Sequence, residues 1–294
     1  MTTRDDPARR AVISISSHVV RGSVGNRAAG FALERLGFPV WAVPTIVLPW
    51  HPGHGPATRI VPDAEQFAAL MNDLQAAPWL DEVGAVMSGY LGNAAQAQAV
   101  AALVRAMKKR NPQALYLCDP VIGDAGGLYV PPATAEAMRD LLLPLADIAT
   151  PNRFELEWLT GETLNDNAAA ARAALALGPP TMLVTSAHAL MAGSIGNLLV
   201  TAREVVLAEH RAVPNPPNGT GDLASALFLA RLLEGQSAEK ALRSVTAAVF
   251  EVVACAVKRG ADELMLETDA DSLAHPMAMV QTRRLAHPVG GKRA

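Results

Sequence analysis

The stretch AVISISSHVVRGSVGNRAAGFALERLGFPVWAVPTIVL, Ala11 to Leu48, reads as strand, helix, strand. AVISIS and VWAVPTIVL are short runs rich in Val and Ile, the composition of a pleated, buried strand. Between them GNRAAGFALERLG spaces its apolar residues at helical intervals. Outward from this unit the alternation continues: a helix near Ala64 to Leu74, the strand VGAVMS, an Ala-rich helix after Asn93, and the strand ALYLCD. There follow the helix ATAEAMRDLLL, the short strand ADIAT, the helices FELEWLTG and AAAARAALALG, and the strands TMLVTS, GNLLVTA and EVVLAEH. Helices over Leu223 to Leu233 and Ala238 to Val257, then a last strand in MAMVQT, complete the pattern. Such alternation predicts an α/β fold, a mostly parallel sheet covered by helices on both faces. With no internal repeat and no long linker, one domain over residues 1–294 is expected, with loose tails at about 1–10 and 286–294.

Bulk properties narrow the function classes. Half of the 294 residues are apolar, the formal charge is only −3, and there are two cysteines. Cys118 and Cys255 have no metal-ligand spacing. The opening residues MTTRDDPARR lack the apolar core of a signal peptide, so a reducing, cytoplasmic setting is expected. The longest apolar runs are cut by prolines before reaching the roughly 18 residues of a membrane span. Phosphate-backbone binding needs clustered Lys and Arg, which this sequence does not offer. The expected partner is therefore a small molecule, not nucleic acid and not a membrane.

Open α/β sheets bind ligands in the loops at the carboxyl ends of their strands. In one such loop, PPNGTGDLASALFLARLL, Pro216 to Leu233, two glycines flank Thr220, and Asp222 follows just before an apolar helix. Gly219 and Gly221 let consecutive backbone N–H groups point into one small space, and the helix dipole behind them favours negative charge. The dipole also favours an ionised Asp222, ready to take a proton. A base beside an anion hole suits phosphoryl transfer to an alcohol. The alternative is that Asn218, Thr220 and Asp222 only cap the helix. Neither GxxxxGK[ST] nor a GxGxxG after the first strand occurs, so a bound nucleotide requires a different cradle.

Other polar groups fall at strand ends. Asp119 closes ALYLCD, and Gly123 and Asp124 lie in its exit loop; two acids there suit a hydrated Mg²⁺. Thr150 and Asn152 end another strand with Glu155 three residues on, which also reads as a capping box. Thr185 and Ser186 close TMLVTS, for hydroxyl binding or merely for a turn.

Together these blocks resemble the pyridoxal kinases of the ribokinase-like superfamily. SISSHVVRGSVGNRAA, SGY, CDPVIGD, GGLYVP, TPNRFELEWLTG, VTS and NGTGD occur in the family's order from about Ile13 to Leu233. The resemblance implies a three-layer αβα sandwich that phosphorylates the 5′-hydroxymethyl group of a vitamin B6 vitamer with ATP and Mg²⁺, with a monovalent cation as a further candidate and a homodimer as the expected assembly. It makes Asp222 the catalytic base and the amides of Gly219, Thr220 and Gly221 the anion hole. Asp119, Asp124, Thr150, Asn152, Glu155 and Thr185 match phosphate and metal residues, Ser186 being grouped with them at the nucleotide. Ser17, in the loop after the first strand, matches the residue that meets the pyridine ring. Val24 and Tyr90 match ring-side positions, although Tyr90 also reads as a buried aromatic. GDAGGLYVP, with Tyr129, resembles the segment that covers the nucleotide.

One stretch departs from the family. Where its members read close to NTVQFSNHTGY, this chain reads PTIVLPWHPGHG. It keeps Thr45, His51 and Gly53, but has Pro52 at the substrate-binding Thr and His54 at the Tyr. Pro52 has no N–H or hydroxyl to offer the substrate, so vitamer binding is expected to be weaker than the family norm unless His51 or His54 supplies the missing partner. A hydroxymethylpyrimidine or sugar kinase of the same superfamily, and a non-catalytic vitamin-binding paralogue, are the alternatives.

Overall fold

The computed structural model describes residues 9–288. Its strands are β1 Ala11–Val19, β2 Val40–Leu48, β3 Val83–Ser88, β4 Leu115–Cys118, β5 Gly123–Asp124, β6 Gly127–Leu128, β7 Ile148–Ala149, β8 Thr181–Ala187, β9 Ser194–Thr201, β10 Val205–Arg211 and β11 Gln281–Leu285. The helices are α1 Asn26–Arg35, α2 Ala64–Ala76, α3 Ala94–Arg110, α4 Pro132–Ala137, α5 Arg153–Thr160, α6 Asn167–Leu177, α7 Thr220–Leu233, α8 Ala238–Lys258 and α9 Ala270–Ala274. Nine strands form one sheet in the order β11-β10-β9-β8-β7-β4-β3-β1-β2. From β2 to β8 the pairs are parallel, and β9, β10 and β11 extend that sheet antiparallel. Two apolar cores lie on opposite faces, one under α2 to α6 and one under α1, α7, α8 and α9. This is the expected αβα sandwich, and alternation along β1 sends Ile13 and Ile15 to one core and Val12 to the other.

Local chemistry explains where the elements stop. Asp63, Asn93, Asp166 and Ser237 each accept a backbone N–H as helix N-caps, and α3 ends in Lys108, Lys109 and Arg110, favourable at the negative end of the dipole. The helix expected across ATAEAMRDLLL stops at Ala137, widens to a π turn over Met138–Leu142 and tightens to a 3₁₀ turn over Leu143–Leu145. Pro144, which has no N–H, sits in that last turn. The last strand lies further on than MAMVQT, beginning only at Gln281. Ser17 is not in a loop: β1 continues to Val19 because its pairing with β2 persists to Val19 opposite Leu48. Between Ser16 and His18 the pairing is irregular, with Thr45 and Ile46 bulging opposite Ser17. Of the expected tails, Arg9 and Arg10 are docked, through Arg9 to the Leu36 carbonyl and Glu234 and through Arg10 to the Asp81 carbonyl. His287 bonds the Thr201 carbonyl. Residues 1–8 and 289–294 lie outside the described residues.

Candidate active site

The sheet reverses its winding at β1, with β2 on one side and β3 on the other, and a cleft opens beyond the carboxyl ends of the parallel strands. Its volume is about 920 Å³, at the upper end of small-molecule pockets and enough for two ligands end to end. Ser17, Val24, His51 and Tyr90 line one part of it. Asp119, Asp124, Tyr129, Thr150, Asn152, Glu155, Thr185 and Ser186 line another, and Gly219, Thr220, Gly221 and Asp222 complete the wall. Of the residues expected at the site, His54 and Thr45 lie off this wall. Thr45 is fully buried and its hydroxyl donates to the Tyr90 carbonyl at 2.7 Å, so it braces Tyr90 from behind.

Asp222 owes its position to two glycines. Gly219 is the N-cap of α7 with φ 91°, and a Cβ there would lie 2.0 Å from the Ser23 carbonyl oxygen. Gly25 has φ 54°, where a Cβ would lie 2.3 Å from the Ser17 oxygens, and its N–H donates to the Asp222 carboxylate. No side chain caps α7, so the reading of Asn218, Thr220 and Asp222 as mere caps does not hold. The first-turn amides of α7 face the cleft and favour an anion. Burial outweighs the helix dipole at Asp222, pushing its carboxyl up to about 6 despite the Gly25 N–H, so it is poised closer to neutrality than the dipole alone would leave it.

Behind Asp222 sits a buried polar knot. Ser225, one turn along α7, donates to Asp119 Oδ2 at 2.8 Å and lies 2.8 Å from Thr150 Oγ1. Burial first, then the nearby Glu155 and Asp222 carboxylates, drive the Asp119 carboxyl well above the usual range. Burial raises Glu155 as well, against the pull of three backbone N–H groups. Glu155 forms the capping box of α5 with Asn152 and also accepts from Ile122 N–H at 2.8 Å. Asn152 is held at both ends of its side chain, its amide donating to the Gly123 carbonyl at 2.8 Å and its oxygen accepting from Glu155 N–H at 2.9 Å. Asp124 caps the β5–β6 hairpin, taking Gly126 N–H at 2.7 Å and the Tyr129 hydroxyl. Both residues reach the cleft wall as supports of loops. Val121 adopts φ 41° in the same loop, a strained conformation for a β-branched residue.

Several residues of the cleft wall and of the knot behind it were not read from the sequence. Ser225 could have been found from its i, i+3 spacing to Asp222. Val249, Phe250 and Val253, with His210 and Asn197 beside them, form a largely apolar wall beyond Thr185, the His210 and Phe250 rings packed at a 38° tilt with centroids 4.7 Å apart. No motif marks them. Arg59 lines the cleft and donates to Tyr90 Oη at 2.9 Å. His54 does not line it: its Nε2 lies 2.8 Å from Glu263 Oε1, which removes it as a substitute for the missing Thr. His51 remains on the wall, where its Nδ1 accepts from Gly53 N–H at 3.1 Å.

A winding-reversal cleft, a bare helix N-terminus and an acid on its first turn define a kinase of the ribokinase-like class. The model of the phosphomethylpyrimidine kinase family matches residues 62–267. A pyridoxal kinase of Rubrobacter xylanophilus is 40% identical over 282 residues, covering 94% of this chain and 97% of its own. One from Paraburkholderia phymatum is 39% identical over 274 residues, covering 90% of this chain and 95% of its own. Among solved structures, pyridoxal kinase from Leishmania donovani in complex with ADP and pyridoxamine superposes with a TM-score of 0.88 at 30% identity, over 94% of this chain and 99% of its own. The chain belongs to the pyridoxal kinase family.

Proposed function

We propose that this chain transfers the γ-phosphoryl group of ATP to the 5′-hydroxymethyl oxygen of pyridoxal or a related vitamin B6 vitamer, giving the 5′-phosphate and ADP. The observation that carries the reading is Asp222, set between the Gly25 N–H and the uncapped start of α7 in a cleft long enough for both substrates. The vitamer lies toward Ser17, Val24, His51 and Tyr90, and the nucleotide toward Thr185 and the His210 and Phe250 wall. Asp222 takes the proton of the 5′-hydroxyl as its oxygen bonds to the γ-phosphorus. The bond from that phosphorus to the β-bridging oxygen breaks, and ADP keeps the electron pair. The amides of Gly219, Thr220 and Gly221 stabilise charge on the moving phosphoryl oxygens. The β5–β6 hairpin, with Tyr129, covers the nucleotide and keeps water out.

Asp119 and Glu155 are buried acids and, among the described residues, have no cationic side chain beside them on the cleft wall, a donor set that suits a divalent ion bound with phosphate oxygens. Asp119 would hold it, and Glu155 would reach it through water because its oxygens already accept backbone N–H groups. Mg²⁺ when bound neutralises phosphate charge. A monovalent cation, a homodimer and a cytoplasmic location are part of the same proposal by family likeness, and among the described residues no helix is long and apolar enough to cross a membrane. The chain acts as one domain in this reading, supported by a sheet that includes both Ala11 and Leu285.

The discriminating experiment is a coupled assay of ADP release with pyridoxal, hydroxymethylpyrimidine and ribose as acceptors. The highest kcat/KM is expected for pyridoxal. A preference for either other acceptor overturns the substrate assignment, and vitamer binding without ADP release makes the chain a non-catalytic binder.

A further inference from the structure

Apart from the Ser17 and Tyr90 hydroxyls and the Nε2 of His51, the vitamer half of the cleft has few side-chain hydrogen-bond donors. Pro52 lines it with neither N–H nor hydroxyl. His54 is spent on Glu263, and the Nδ1 of His51 on Gly53. Into this half reaches Arg59, which among the described residues is the one Lys or Arg side chain on the cleft wall. Its Nη2 donates to Tyr90 Oη at 2.9 Å. Tyr90 is fixed in turn, with its N–H donating to Ser16 Oγ at 3.1 Å and its carbonyl accepting from Thr45 Oγ1 at 2.7 Å. A guanidinium has five N–H donors and the tyrosine takes one. Arg59 is thus a positive, planar donor array aimed by a braced aromatic ring.

We infer that Arg59 is a specificity-determining contact of the vitamer site, selecting rings that carry an anionic oxygen and disfavouring rings that carry an amino group in its place. The inference rests on the kinase reading above and gives that site its selectivity. The hydroxyl attached directly to the pyridoxal ring ionises readily to a phenolate because the ring nitrogen is protonated. A guanidinium beside a phenolate makes a charge-assisted hydrogen bond. An aminopyrimidine presents N–H groups there, so donor faces donor and neither is satisfied. A cation placed there separates two substrates that both offer a hydroxymethyl group to the same base.

The test compares wild type, Arg59→Gln and Arg59→Lys. Arg59 is exposed, so neither change disturbs a core. Steady-state constants are measured for pyridoxal, for 3-deoxypyridoxine, which lacks the ring hydroxyl, and for hydroxymethylpyrimidine, with equilibrium titration of each ligand by calorimetry. Arg59→Gln is expected to raise KM and Kd for pyridoxal about tenfold with kcat nearly unchanged, the signature of an interaction made equally in ground and transition states. The deoxy analogue should be unaffected, hydroxymethylpyrimidine should improve, and Arg59→Lys should fall between, because it keeps the charge without the fork. Equal shifts for pyridoxal and its deoxy analogue, or no shift in either, overturn the inference. If wild type fails to phosphorylate pyridoxal, the kinase reading falls, while the titrations still decide whether Arg59 reads the ring oxygen.

Discussion

At Asp222, the proposed base, two physical demands meet, since a base must be ionised to act and yet must hold a proton well enough to accept one. The dipole of α7 and the Gly25 N–H favour the carboxylate, burial favours the acid, and the carboxyl settles at about 6. The working form is the ionised one, so kcat/KM for pyridoxal should fall on the acid side with a midpoint near or below that value and be flat from about pH 7 to 8. A profile with no acid limb between about pH 5 and 6.5 removes Asp222 from that role. Gly25 is the second residue on which the geometry turns. Gly25→Ala places a Cβ 2.3 Å from the Ser17 carbonyl oxygen and at a positive φ, so the segment must move and carry its N–H away from Asp222. We expect kcat to drop about 10²-fold, the cost of misplacing a catalytic group by an ångström, and a drop of under threefold counts against the role of the Gly25 N–H. NGTGD was readable because its parts are adjacent in the chain, whereas Gly25 meets Asp222 only through the fold.

At the scale of elements, α5 and the β5–β6 hairpin share one fastening. Glu155 closes the start of α5 and holds the Ile122 N–H, while Asn152 reaches back to the Gly123 carbonyl. The capping box was legible in the sequence as Asn152 followed by Glu155. Its second duty was not, because Ile122 and Gly123 are more than 25 residues away in the chain. Glu155→Gln should therefore do two things. It should raise the Mg²⁺ needed for half-maximal rate, and it should lower Tm, since an amide N cannot accept the N–H groups the carboxylate accepts. Asp119→Asn, which can still accept from Ser225, should raise the Mg²⁺ requirement without lowering Tm. Unchanged Mg²⁺ titrations in both variants would leave Glu155 a cap and nothing more. On the hairpin, Tyr129→Phe removes the bond to Asp124, worth about 0.5–1.5 kcal/mol, and should raise KM for ATP about 2–10-fold without moving KM for pyridoxal. A shift in the pyridoxal constant instead would place the hairpin over the wrong substrate.

At the scale of the whole molecule, three acids meet in the cleft. Asp119, Glu155 and Asp222 are all pushed upward by burial, so the fold prefers them protonated. A raised acid stabilises the fold below its unfolded pKa of about 4 and loses that contribution as pH rises through the folded value. Ligand-free Asp119→Asn should accordingly melt about 2–4 °C above wild type at pH 8, the gap closing toward pH 4.5. ATP with Mg²⁺ should reverse the order, because it binds the wild-type acid cluster more tightly. A gap that does not change with pH would show that these acids are not strained by burial. The sandwich itself was legible because βαβ units have strong periodicities of their own. The antiparallel turn of β9, β10 and β11 was not, because strand direction depends on the partner edge and leaves no trace in composition. The apolar wall beyond Thr185 escaped for a similar reason, since Val249 and Phe250 read as ordinary residues of an amphipathic helix. The central claim, that Asp222 drives phosphoryl transfer to pyridoxal, is tested most directly by the rate of pyridoxal 5′-phosphate formation by Asp222→Asn at saturating ATP, Mg²⁺ and pyridoxal. The expected result is a kcat about 10²–10⁴-fold below wild type with native circular dichroism and unchanged pyridoxal affinity. A correctly folded variant turning over at close to the wild-type rate contradicts it.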